Sequence, residues 1–108
     1  MAKNDDPPRW TFLTNHARVL ICVADDPGIR LREIGVQVGI TERAAHNIVV
    51  ELEAAGYVTR RRNGRRNNYT VNSHLPLPDP LGGGQRVGDL LAILGGTDGP
   101  ENAGPVSG

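Results

Sequence analysis

Cysteine and aromatic side chains are scarce in this chain: 108 residues hold one Cys, one Trp, one Phe and two Tyr. The lone Cys22 excludes an intramolecular disulfide and fits a reducing compartment. Aromatics at 4% beside 38% apolar residues limit the core. One small domain of marginal stability is expected, and pairing with a second copy would bury more surface. No apolar run approaches the roughly 20 residues that cross a bilayer, and the opening MAKNDDPPRW is too polar for a signal peptide. A soluble cytoplasmic protein is expected.

Reactive groups are thinly provided too. His16, His46, His74 and Cys22 lack metal-ligand spacing. No nucleophile–base–orienter set stands out, and Gly82-Gly83-Gly84 lacks the Lys and Ser/Thr that a phosphate-cradling loop needs. The sequence therefore points away from an enzyme, and no catalytic residue, metal or cofactor is assigned. Cys22 sits by the apolar stripe of its helix, where a buried, inert thiol is expected rather than a redox sensor.

Net charge is also missing: 12 Lys and Arg balance 12 Asp and Glu, so bulk charge makes no argument for a polyanionic partner. Its distribution does. From Gly56 to Ser73 there are five arginines (Arg60, Arg61, Arg62, Arg65, Arg66) and no acidic residue, while Asp5, Asp6, Asp25 and Asp26 lie elsewhere. Zero net charge so segregated means a polarised surface.

What is present centres on Leu31–Ala55, LREIGVQVGITERAAHNIVVELEAA. Ala45, Ile48, Val49 and Leu52 follow the i, i+3, i+4, i+7 spacing of one buried helix face. Thr41 is a good N-cap, Glu42 suits the positive end of the helix dipole, and Gly56 suits its C-terminal stop. The preceding LREIGVQV reads as a shorter helix with Ile34 and Val38 on one face, stopped by Gly39. Gly35 costs about 1 kcal/mol against Ala inside that helix, which is explained if the following helix crosses too closely for a side chain. With Leu31 as first position, Ile34, Gly35, Val38, Gly39, Ile40, Ala45 and Ile48 occupy the positions of a helix-turn-helix unit, and this resembles the DNA-binding version.

Around that unit the order is simple. Residues 1–9 read as a disordered lead-in. Thr14 caps a helix running to about Asp25, with Ala17, Leu20, Ile21 and Ala24 on one face and Val23 beside it. Asp25-Asp26-Pro27-Gly28 is a turn, and Ile29-Arg30 has the makings of a very short strand. After Gly56, YVTRRRNGRRNNYTV reads as a hairpin. A two-residue turn at Asn63-Gly64 would pair Arg62 with Arg65, Arg60 with Asn67 and Val58 with Tyr69. A longer loop spanning Arg61 to Arg66 is the alternative. Val58, Tyr69 and Val71 then face the core, and arginines face one another at the tip. Residues 74–85 are a Pro/Gly-rich linker or lid, 86–94 a short apolar helix, and 95–108 a disordered tail.

This architecture is α+β and mostly helical: three helices and a two- to three-stranded wing over residues 10–73, with a C-terminal dimerisation helix. It resembles the small bacterial winged helix-turn-helix regulators of the MarR and ArsR kind, the resemblance being carried largely by ELEAAGYVTRRRNGRRNNYTV. The chain departs from larger MarR proteins by lacking long flanking helices, and from metal-sensing ArsR proteins by lacking their cysteine motif. The resemblance implies that helix 42–55 lies in the major groove and the wing on phosphate or the minor groove.

A groove about 12 Å wide admits only the start of such a helix. That selects Thr41, Glu42, Arg43, His46 and Asn47 as readers, Arg43 suiting guanine and Asn47 adenine. Arg60, Arg61, Arg62, Arg65 and Arg66 supply backbone grip. Arg30 and Arg32 fit either phosphates or plain solvated surface. Trp10, Val87, Leu90, Leu91 and Leu94 are the expected dimer surface. The expected function is sequence-specific binding of duplex DNA by a nucleoid-associated homodimer on a palindromic operator. The alternative is a winged-helix protein-interaction module. RNA binding lacks exposed stacking aromatics. The sequence names no effector, and the dimer interface is the only site it suggests for one.

Overall fold

The computed structural model describes residues 8–94; the expectations of disorder for residues 1–7 and 95–108 lie outside them. The elements run α1 (Asn15–Asp25), α2 (Leu31–Val38), α3 (Glu42–Ala54), β1 (Val58–Asn63), β2 (Arg66–Val71), a 3-10 turn (Pro80–Gly82) and α4 (Val87–Leu94). No helix among the described residues is long and apolar enough to cross a membrane.

Local chemistry sets each boundary. Thr14 Oγ1 accepts from the Ala17 amide at 3.2 Å to start α1, and Thr41 Oγ1 accepts from the Ala44 amide at 3.0 Å to start α3. α3 stops in a left-handed Gly56, with the Tyr57 amide donating back to the Leu52 carbonyl and the Gly56 amide to that of Glu53. Ile34, Val38, Ala45, Ile48, Val49 and Leu52 are buried together with Val58 and Tyr69. Ile40 closes the corner, half-buried against them. A Cβ on Gly35 would stand 2.7 Å from the Ile40 carbonyl oxygen and 3.4 Å from the Glu42 nitrogen. Backbone approach at the start of α3 is thus why glycine sits inside α2.

The structure corrects several expectations. In α1, the buried strip runs through Val19, Cys22 and Val23 with Leu20, while Ala17, Ile21 and Ala24 are only half-buried. The reason is that α1 meets α2, α3 and β2 at once, which turns Val19 and Val23 inward. Ile29-Arg30 forms no strand, and among the described residues the sheet has two strands. Instead Ile29 is buried, and the neighbouring Pro27 carbonyl accepts from the Tyr69 amide at 2.8 Å.

The third correction is the hairpin register. Asn63 pairs with Arg66, Arg62 with Asn67, Arg61 with Asn68, Arg60 with Tyr69 and Val58 with Val71. The two-residue loop is therefore Gly64-Arg65, with Gly64 at φ +67° as a primed turn requires. The shift is even, so every side chain keeps its face. What changes is who stands opposite whom. No arginine of β1 directly faces an arginine of β2, which removes the like-charge cost expected of the tip.

The expected linker or lid, residues 74–85, lies within a hydrogen-bonded loop. The chain doubles back on itself: the Leu77 amide donates to the Gln85 carbonyl, Val87 to Leu75 and Gly88 to Ser73. Asp79 caps the 3-10 turn through the Leu81 amide at 2.9 Å. Tyr57 Oη donates to the Pro76 carbonyl at 3.1 Å, pinning this loop to the wing base. α4 is thereby held against α1, and Val87 is 1% exposed within its own domain.

Candidate nucleic-acid interface

The outward face of α3 carries Arg43, His46, Asn47, Val50 and Ala54, all exposed. They lie opposite buried Ala45, Ile48, Val49 and Leu52, so the face exists because the core stripe fixes the helix's rotation. Thr41, itself exposed, uses its oxygen to accept the cap bond. Leu31, Glu42, Arg43, His46 and Asn47 line an open groove along the start of the helix.

A second cleft of about 450 Å³ adjoins it, lined by Arg30, Arg32, Glu42, Arg65, Arg66 and Asn67 among others. The fold thus brings arginines from the loop before α2, from α2 itself and from the wing around one space. Arg30 and Arg32 are exposed there, and the Arg30 amide is held by Glu33 Oε1 at 3.0 Å, leaving its side chain outward. Among the described residues, Glu42 is the one carboxylate lining this cleft and the groove beside it.

The five wing arginines are all exposed but differ in their ties. Arg60 Nε lies 3.3 Å from Glu53 Oε2 on α3. Arg66 Nη2 donates to the Gly28 carbonyl at 3.1 Å, and Arg62 Nε to the Gly64 carbonyl within the turn. No such bond occurs for Arg61 or Arg65 among the described residues. Sequence reasoning treated the five alike because it had no means of seeing Glu53 or the Gly28 carbonyl as partners.

The expected dimer surface divides. Val87 belongs to its own domain's core, which corrects its assignment to a partner contact; Leu91 is half-buried against that core. Leu90 is half-buried too, while Leu94 and Trp10 are exposed. Phe12, edge-on to Trp10 at 5.1 Å, is 92% exposed, and Ile93 is 81% exposed. The helix-wheel stripe of α4 could not show which half of it docks.

An apolar cavity of about 430 Å³ also opens between α1, the end of α3 and the 77–90 segment, with Phe12, Leu20, Leu52, Tyr57, Leu77 and Leu90 on its walls. Cys22 is buried and gives its Sγ proton to Gln37 Oε1 at 3.4 Å. Burial chiefly, and then the Asp25 carboxylate, push its pKa up against an opposing pull from Arg18. No metal-ligand cluster occurs among the described residues.

A helix-turn-helix whose second helix is bare on one side, followed by a basic two-stranded hairpin, defines a winged helix-turn-helix protein. Residues 11–66 match the sequence profile of the MarR family, and the chain belongs to that family. No curated protein matches it. Among solved structures it is similar to the PcaV transcriptional regulator of Streptomyces coelicolor, in complex with its natural ligand, at 24% identity and a TM-score of 0.49. It is also similar to the MarR family protein Rv2887 of Mycobacterium tuberculosis, in complex with salicylic acid, at 28% identity and a TM-score of 0.48. Each alignment covers 56% of this chain but only 45% and 47% of the longer partners.

Proposed function

We propose that this protein is a sequence-specific regulator of transcription that binds duplex DNA as a homodimer. The start of α3 enters the major groove and the wing grips the backbone or minor groove. One observation carries the reading: the exposed start of α3 adjoins a cleft whose free guanidinium groups, among the described residues, are those of Arg30, Arg32 and Arg65. A face and a cleft so arranged match a groove flanked by phosphates. Arg43, His46 and Asn47 read bases, Thr41 and Glu42 position the helix start, and Arg61, Arg62 and Arg65 contact phosphate. Arg30 and Arg32 hold the phosphate nearest α2.

Residues 10–73 form the DNA-binding unit. One copy makes few contacts, so two copies on a palindrome, with half-sites about 10 bp apart, supply the affinity. Trp10, Leu90 and Leu94, joined by exposed Phe12 and Ile93, provide the pairing surface. The protein acts in the cytoplasm, at the nucleoid. The cavity between α1, α3 and Leu77–Leu90 is large enough for a small apolar effector, and Leu52 and Tyr57 in its wall would pass occupancy to the reading helix. Catalysis has no part in this function.

A mobility-shift titration across salt, with operator selected from a random pool, tests the reading. Log affinity is expected to fall steeply with log salt, by about 0.9 per phosphate contacted. Arg61→Ala combined with Arg65→Ala is expected to reduce that slope by about 1.8 per subunit. A protein-interaction module would show no affinity for random duplex at low salt, and that outcome overturns the proposal. A strictly monomeric mass, even with DNA present, overturns the palindrome.

A further inference from the structure

The five wing arginines do two different jobs, and the division is legible in their ties. We infer that Arg60 and Arg66 are positioning residues that set the angle of the wing against α3, leaving Arg61, Arg62 and Arg65 to meet phosphate. The inference rests on the DNA-binding reading above and narrows it.

A two-stranded hairpin is marginal by itself, and this one continues past its core residues. Val58 and Tyr69 are buried, but every residue from Thr59 to Arg66 is exposed. Its direction must come from bonds to the rest of the domain. On β2, the Tyr69 amide meets the Pro27 carbonyl at 2.8 Å, and one turn of the ladder nearer the tip Arg66 Nη2 meets the Gly28 carbonyl at 3.1 Å. On β1, Arg60 pairs with buried Tyr69 and so lies on the inward face. Its Nε reaches Glu53 of α3 at 3.3 Å, and Glu53 is only 24% exposed. One tie thus anchors the wing to the turn before α2, the other to the reading helix.

Charge supports the same division. Glu53 neutralises Arg60, so that pair offers a phosphate little net attraction. Arg66 gives one of its five N–H donors to the Gly28 carbonyl, and that bond fixes the direction of its side chain against the turn before α2. With wing and α3 held at a fixed distance, both engage one duplex without first losing freedom of their own, which is the general benefit of preorganisation.

Salt dependence separates a contact from a positioning residue. Removing a phosphate contact lowers the slope of log affinity on log salt by about 0.9; loosening the wing weakens binding with the slope kept. Arg60→Gln and Arg66→Gln are expected to weaken binding by about 2- to 5-fold, the scale of an exposed ion pair, at unchanged slope. Arg61→Gln and Arg65→Gln are expected to lower the slope. Glu53→Gln is the sharpest arm. Removing a negative charge beside DNA should tighten binding by simple electrostatics, whereas loss of the Arg60 tie weakens it. A lower slope for Arg60→Gln or Arg66→Gln, or tighter binding by Glu53→Gln, overturns the inference. Amide exchange on the free protein gives a readout that needs no DNA: Arg66→Gln and Glu53→Gln are expected to speed exchange along Thr59–Arg61 and Asn68–Tyr69. Unchanged exchange also overturns the inference, whereas a wild-type chain that ignores duplex DNA overturns the functional reading.

Discussion

Replacing Gly35 by alanine sets two large local effects against each other. Helix propensity favours Ala over Gly by about 1 kcal/mol in a helix interior. Against it, the new Cβ would sit 2.7 Å from the Ile40 carbonyl oxygen, with Thr41 and Glu42 backbone atoms at 3.4 Å. Ordinary van der Waals contact requires the turn to retreat by about 0.7 Å. The obstacle is backbone, so no rotamer change relieves it, and overpacking of this kind costs about 1–3 kcal/mol. Taking the upper half of that range, we expect Gly35→Ala to destabilise by about 1–2 kcal/mol net, a fall in Tm of roughly 5–15 °C for a domain of this size. The displaced atoms begin α3, so DNA affinity is expected to drop even at temperatures where the variant is fully folded. Gly39→Ala is the matched control: φ there is +84° with open space around a new Cβ. It loses about 1–2 kcal/mol through the left-handed backbone alone without pushing on α3. Thermal unfolding by circular dichroism and titration with operator DNA measure both. A Gly35→Ala protein more stable than wild type would refute the close approach and the geometry built on it.

Other expectations follow from the same packing. Val87→Ala is expected to cost about 2 kcal/mol by removing two buried methyl groups and leaving a cavity; a loss under about 0.5 kcal/mol in urea titration would mean α4 does not dock on its own domain. Asn72 Nδ2 donates to the Gly56 carbonyl and to Thr59 Oγ1, so Asn72→Ala should cost about 1 kcal/mol and raise amide exchange at the wing base first. The raised pKa of Cys22 means the folded state holds the thiol proton more tightly than the unfolded state does. Its contribution to stability is thus full below the unfolded thiol pKa and is lost as pH rises through the folded one. Alkylation by iodoacetamide is correspondingly expected to reach half-rate at higher pH in native protein than in urea. Equal midpoints would place the thiol in water.

Much of this protein was legible from its residues in order. The spacing of Ile34, Val38, Ala45, Ile48 and Leu52, the glycines at 35 and 39 and the cap at Thr41 express local rules: helix periodicity, left-handed stops and side chains that satisfy free amides. Such rules act within a turn or two, so the helix-turn-helix and its exposed face could be read without any tertiary knowledge. The hairpin's existence was equally local, because Gly64 and the alternating Val58, Tyr69 and Val71 demand it.

Only the tertiary structure decided who meets whom across distance. The wing's register moved by two residues, an even step that periodicity cannot detect because both registers bury the same face. Which side of α1 turns inward depended on three neighbours at once, and the placement of Val87 depended on a loop whose hydrogen bonds join residues up to fifteen positions apart. The different ties of Arg60 and Arg66 required Glu53 and Gly28 to be brought alongside them. Sequence periodicity specifies faces. The meeting of faces is set by packing, and in this protein that packing brings Arg60 of the wing against Glu53 of α3.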